Sequence, residues 1–264
     1  MAQAAQQGKL SLDVYMDGYL PKGIQLQPQL QQKIKISDLA SHQSGLPDLD
    51  FPALIAKNPQ QPVSSVTKES IISLINNTDT LLDYGKYRYS TVGYTLLGLV
   101  LEKIYAKSYD KIVAEKLLLP LQLSDTYTKD FAVPHKTTGY NPDGGEQEFF
   151  TWNITAPAGL LKSNASDMVL YLKHTLDTES EMGKVALLAE KEKFSDGPRK
   201  MGLGIAIVED IGQTLYLKSG DSLGQSSMLC YNREKNWGIV ILLNQRNSKL
   251  RGDMLNEIYE TILR

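Results

Sequence analysis

The stretch "LYLKSGDSLGQSS" carries the residues best suited to hold an anion. As a strand it puts Thr214, Tyr216 and Lys218 on one face, with Leu215 and Leu217 on the other. Lys218 supplies a point charge and Ser219 a hydroxyl, while Gly220 lets a substrate lie along the strand edge. Taken alone, the tripeptide is an ordinary solvated lysine ahead of a turn. In "YRYSTVGYTLLG", Tyr89 stands before a buried helix capped by Ser90 or Thr91. The positive field of a helix N-terminus favours a phenolate base there; the plainer alternative is a tyrosine that anchors the loop by packing. "SHQSGLPD" brings His42 and Ser44 close in sequence, but "SGLP" is turn material with no elbow to expose a nucleophile. Ser65 and Lys68 have the Ser-x-x-Lys spacing of one helical turn, yet Thr67 reads as the N-cap and leaves Ser65 outside the helix.

The elements that must position these residues change character near residue 200. Before it, helical signals dominate. "ISDLASHQSGL" reads as a short helix capped by Ser37, and "TKESIISLINN" places Ile71, Leu74 and Ile75 on one face. "TVGYTLLGLVLEKIYAK" is apolar nearly all round and reads as a buried helix. "SYDKIVAEKLLLPL" is a further helix stopped by Pro120, and "NASDMVLYLKHTL" one with an Asn or Ser cap. After residue 200, "GLGIAIVED", "QTLYLKSG", "SSMLCYN" and "WGIVILLNQ" are short β-rich runs joined by turn residues. They predict an antiparallel meander covered by the final amphipathic segment "KLRGDMLNEIYETIL". The opening "MAQAAQQG" resembles the last turns of a helix stopped at Gly8.

Composition narrows the function. A chain of 264 residues with 42% hydrophobic and 22% charged residues is globular and large enough for a real core. A net charge of −2 gives no electrostatic case for nucleic acid or an anionic membrane. Cys230 is the lone cysteine, and His42, His135 and His174 are widely spaced, so neither an intrachain disulfide nor a metal pattern is present. No apolar run reaches transmembrane length, and the first residues do not form a signal peptide. No internal repeat is visible.

Together and in this order, "GKLSLD", "ISDLASHQSGLPDL", "YRYSTVGYTLLGLVLEKI", "APAGLLKSNASDMVLYL", "GLGIAI", "KSGDSLGQSS" and "GIVILLNQ" resemble the serine β-lactamase and penicillin-binding protein superfamily. The branch is that of class C β-lactamases, D-alanyl-D-alanine carboxypeptidases and esterases, and the resemblance covers essentially the whole chain. It implies an α/β protein of the α+β type, with an antiparallel sheet flanked by helices and a mainly helical lobe. Three parts of one domain are expected: residues 1–35, a helix tail and connector; 36–199, the helical lobe; and 200–264, the meander with its C-terminal helix.

The resemblance also implies roles. The family's Tyr-x-Asn falls on Tyr89-Ser90-Thr91, with Thr91 where Asn would hold a substrate amide. Its Lys-Thr-Gly falls on Lys218-Ser219-Gly220, and the backbone N–H of Asp221 matches one oxyanion donor. Lys218 and Ser219 would bind a substrate carboxylate and tune Tyr89 towards phenolate. The family's Ser-x-x-Lys would lie roughly ten residues upstream of Met1 on the helix whose tail opens this chain, behind two further strands. A serine hydrolase acting through an acyl-enzyme on a β-lactam, D-amino peptide or ester is therefore expected, with this chain alone inactive. The alternatives are a noncatalytic binding or regulatory relative, and a decayed remnant. No cofactor or metal is implied. The implied partner is a small molecule or peptide with a carboxylate, and a periplasmic or secreted location follows if a signal peptide lies upstream.

Overall fold

A computed structural model describes residues 1–129 and 131–263. Helix α1 (Ala2–Gln6) ends as its sequence predicts: Gly8 is left-handed at φ +68°, and the N–H groups of Gly8 and Lys9 return to the carbonyls of Ala5 and Ala4. Then follow α2 (Ile36–Ala40), α3 (Phe51–Lys57), α4 (Lys68–Asn76), α5 (Thr91–Tyr105) and α6 (Tyr109–Val113). Helix α6 continues as a π-helical turn over Ala114–Leu118, ahead of Pro120. A small hairpin, β1 (Gly139–Tyr140) with β2 (Glu146–Gln147), precedes α7 (Ala165–Leu176) and α8 (Glu181–Ala189).

The four predicted strands form an antiparallel meander, and two short strands that the sequence analysis did not single out, one of them inside the stretch expected to be helical lobe, extend the same sheet. Strands β3 (Phe194–Ser195), β4 (Lys200–Met201), β5 (Ala206–Asp210), β6 (Gln213–Asp221), β7 (Ser226–Asn232) and β8 (Trp237–Leu243) form one sheet in chain order, every neighbouring pair antiparallel. Helix α9 (Ser248–Ile258) covers one face, packing Leu255 on Leu215, Cys230 and Ile241. Helix α7 covers the other, where Leu172 meets Leu229 and Tyr231. Leu217 joins the α9 side and Tyr216 the α7 side, as the strand alternation requires.

A larger core lies under the helical part, where Ile34, Ile36, Leu39, Ile71, Ile75, Val92, Leu96 and Val100 are all fully buried. The predicted caps hold for three helices: Thr67 accepts from the Ser70 N–H of α4, Ser90 from Gly93 of α5 and Asn164 from Asp167 of α7. They fail for α2. Its N-cap is Lys35, and Ser37 is buried inside the helix, because the Asp38 carboxylate reaches back to the Lys35 N–H at 2.8 Å.

Candidate active site

Two loops meet to hold Tyr89. The segment around His42–Gly45 runs beside residues 82–88, with the Leu82 N–H on the Gly45 carbonyl (2.7 Å), Gly85 on Gln43 (3.0 Å) and Arg88 on His42 (2.7 Å). Gly45 is left-handed, and a Cβ there would stand 2.9 Å from the Leu82 carbonyl oxygen, so the close approach needs glycine. The Ser90 N–H donates to His42 Nδ1 at 3.1 Å. The His42 ring lies between Tyr89 and Tyr94, with centroids 4.4 Å and 4.8 Å away. Burial first, and the Lys218 charge second, draw the His42 pKa down to about 3, so the ring is neutral.

The sheet brings Lys218 onto this aromatic wall. Its ammonium lies 5.7 Å from the Tyr89 ring centroid and 6.0 Å from that of Tyr94. Lys218 keeps open surface, yet the rings around its ammonium desolvate it and lower its pKa. Among the described residues no carboxylate pairs with it. Ser219 is exposed beside it. The Ser222 N–H donates to the Gln225 carbonyl at 3.0 Å, making those two a hydrogen-bonded pair. By strand alternation the backbone groups of Ser219 and Asp221 then point away from β7. Strand β5 stops pairing at Ala206 opposite Leu217, so those groups face an open edge.

Two features of the site are absent from the sequence reading. Asp48 occupies the N-terminus of α5, accepting from the N–H groups of Thr91 (2.9 Å) and Val92 (3.0 Å). Its charge offsets the positive field expected to favour a phenolate at Tyr89. The Tyr89 pKa is instead raised, first by burial, then by Tyr87 and Asp48. Thr91 itself is buried at the first position of α5. The second feature is Arg251 of α9, 7% exposed, which donates to the Gly220 carbonyl (3.1 Å) and to the Asp221 carboxylate (2.5 Å). Asp221 Oδ1 also accepts from Ser226 Oγ at 2.5 Å, so this carboxylate is tied to Arg251 and Ser226 while the Asp221 backbone faces the edge. Neither Asp48, inside a proline turn, nor Arg251, in a helix that reads as surface, carries a local signal of these contacts.

Ser44 and Ser90 are buried, one turned onto the Leu46 N–H and the other capping α5. Ser65 ends a 3-10 turn and is exposed, with Lys68 opening α4 behind the Thr67 cap. A second Ser-x-x-Lys, Ser108 to Lys111, starts α6, and about 22 Å of α5 separates it from Tyr89. Among the described residues no group of three His, Cys, Asp or Glu stands close enough to hold a metal, and no helix is long and apolar enough to cross a membrane.

The family model for beta-lactamase matches residues 1–260. The chain belongs to the beta-lactamase family. The chain is 22% identical over 249 residues to protein flp of Staphylococcus aureus (strain MW2), covering 91% of this chain and 49% of that protein. It thus spans about half the length of this relative. A class C beta-lactamase from Rhodobacter sphaeroides superposes with a TM-score of 0.81 at 18% identity, over 100% of this chain and 81% of the other. A D-stereospecific amidohydrolase from a Streptomyces species gives 0.79 at 18% identity, over 97% and 81%. At that identity the two structures establish the beta-lactamase fold, an antiparallel sheet between helices.

Proposed function

We propose that this chain carries the tyrosine–lysine half of a serine acyl-transfer site that cleaves amide or ester bonds through an acyl-enzyme, with β-lactams, D-amino peptides and small esters as substrate classes. The observation that carries this reading is the Lys218 ammonium, without a carboxylate partner, over the Tyr89 ring at the open end of β6. An amidohydrolase and a beta-lactamase among the structures of like fold support the bond type.

In this reading the nucleophile is a serine outside the residues grouped here, paired with a lysine one helical turn on and delivered along the direction of α1. Tyr89 holds its proton at rest, since its pKa is raised. It therefore serves as a phenol that relays a proton to the leaving group once the nucleophile's own lysine has taken the first. Lys218 and Ser219 receive the substrate carboxylate, and the Asp221 N–H offers one oxyanion donor, worth about 3 kcal/mol at the transition state. Without the nucleophile the cleft binds and does not cleave.

A noncatalytic ligand-binding relative is the second reading, in which Lys218 and Ser219 hold an anion and Tyr89 only packs beside it. Labelling with a fluorescent penicillin separates the two. The 264 residues should give no covalent adduct, whereas the same chain supplied with a Ser-x-x-Lys turn on an extension of α1 should label on that serine. An extended chain that binds without labelling selects the second reading. An adduct on Ser65, Ser108 or Ser219 overturns both.

A further inference from the structure

His42 accepts two local penalties at once. Its backbone is left-handed at φ +62°, a conformation unfavourable to any residue with a Cβ. Its Nε2 is buried with no hydrogen-bond partner. Because Nδ1 accepts from the Ser90 N–H, the proton of the neutral ring sits on that orphaned Nε2. Penalties of this kind persist only where the surroundings over-determine a residue, and they gather at functional sites.

Both hydrogen bonds between His42 and the 82–90 loop flank Tyr89. The His42 carbonyl accepts from Arg88, the residue before it, and the His42 Nδ1 accepts from Ser90, the residue after it. The ring covers Tyr89 at 4.4 Å with a 31° tilt, Tyr94 closes the stack on the other side, and Tyr87 meets its edge at 5.6 Å. We propose that His42 is the positioning residue of this site: a neutral imidazole that holds the Tyr89 phenol beneath the Lys218 ammonium. The proposal rests on the reading above that Tyr89 relays a proton.

Two properties are needed at position 42, a flat ring for the stack and an acceptor for the Ser90 N–H. Phenylalanine supplies only the ring and asparagine only the acceptor. A carboxylate would accept from Ser90 but pair with Lys218 instead of stacking, and a guanidinium would stack but cannot accept and would be repelled by Lys218. Only a neutral histidine combines the two.

The test compares His42→Phe and His42→Asn with the parent by phenolate absorbance, each referenced to its own Tyr89→Phe form so that Tyr89 alone is read. Both substitutions should move the Tyr89 ionisation constant by at least about threefold, a shift of about half a pKa unit. Gly98→Ala, a destabilising change in the middle of α5, should leave it in place. A residue that only supports the fold would lower stability and leave the Tyr89 titration where it was. Folded His42 variants with the parent titration overturn the proposal, as does an equal shift in Gly98→Ala. Should neither His42 variant fold, ring nitrogen NMR of the parent decides. The Nε2–H tautomer should persist at pH 5, and a ring that charges near its ordinary value overturns the proposal. None of these readouts involves acylation, so the penicillin experiment stands or falls separately.

Discussion

Asp48 fills the place at the start of α5 that an incoming anion would otherwise take, and two backbone N–H groups fix it there. Asp48→Ala strips both of their partner and should cost about 1–2 kcal/mol in urea unfolding, the usual range for a lost cap with its helix-dipole contribution. The same change removes a charge that raises the Tyr89 pKa, so the phenol should titrate lower by absorbance. His42 gives the opposite kind of coupling, between pH and the fold. Its folded pKa of about 3 lies below the model-peptide value of 6.5, so below pH 6.5 the unfolded chain binds the extra proton. The stabilisation is present above that pH and drains away as pH falls towards 3. Between pH 7 and pH 5 the loss should be about 2 kcal/mol, and it should vanish in His42→Asn. A pH series of urea midpoints checks both the sign and the size.

Helix α5 shows which elements were legible in the sequence. Its apolar run and its Ser90 cap are local signals, and both predict what forms. What packs on it is not local. Gly98 faces Pro157 so closely that a Cβ would lie 2.1 Å from the proline Cγ, and the rigid ring in the 3-10 turn Ala156–Ala158 cannot step aside. Gly98→Ala should therefore lose about 1–3 kcal/mol despite alanine's better helix propensity, with the loss read by thermal or urea unfolding. Strands β5 to β8 were legible because their alternation and turns are local too. The short α3 and the helix α8 were not, since neither stands out by periodicity from the loops beside it. Tyr89 and Lys218 could be singled out by residue type and family resemblance. Asp48, Arg251 and the role of His42 could not, because each depends on an element distant in sequence.

At the scale of the molecule the sheet ends in an exposed margin. Strand β8 pairs with β7 on one side, no strand pairs its outer edge among the described residues, and Trp237–Leu243 contains neither charge nor proline. Such an edge templates association. Sedimentation velocity should show self-association that grows with protein concentration, and Leu242→Lys, at a position already 42% exposed, should suppress it. The order of the strands has a different consequence, for the time course of folding. Because β3 to β8 lie side by side in chain order, each hairpin closes a short loop and can zip onto the one before it. The contact between Lys218 and Tyr89 joins that sheet to a loop in the other half of the chain, so its loop-closure entropy is met only when the two halves dock. In refolding, the tryptophan signal of β8 should recover before the Tyr89 environment does, and the cleft should be the last feature of the native state to form.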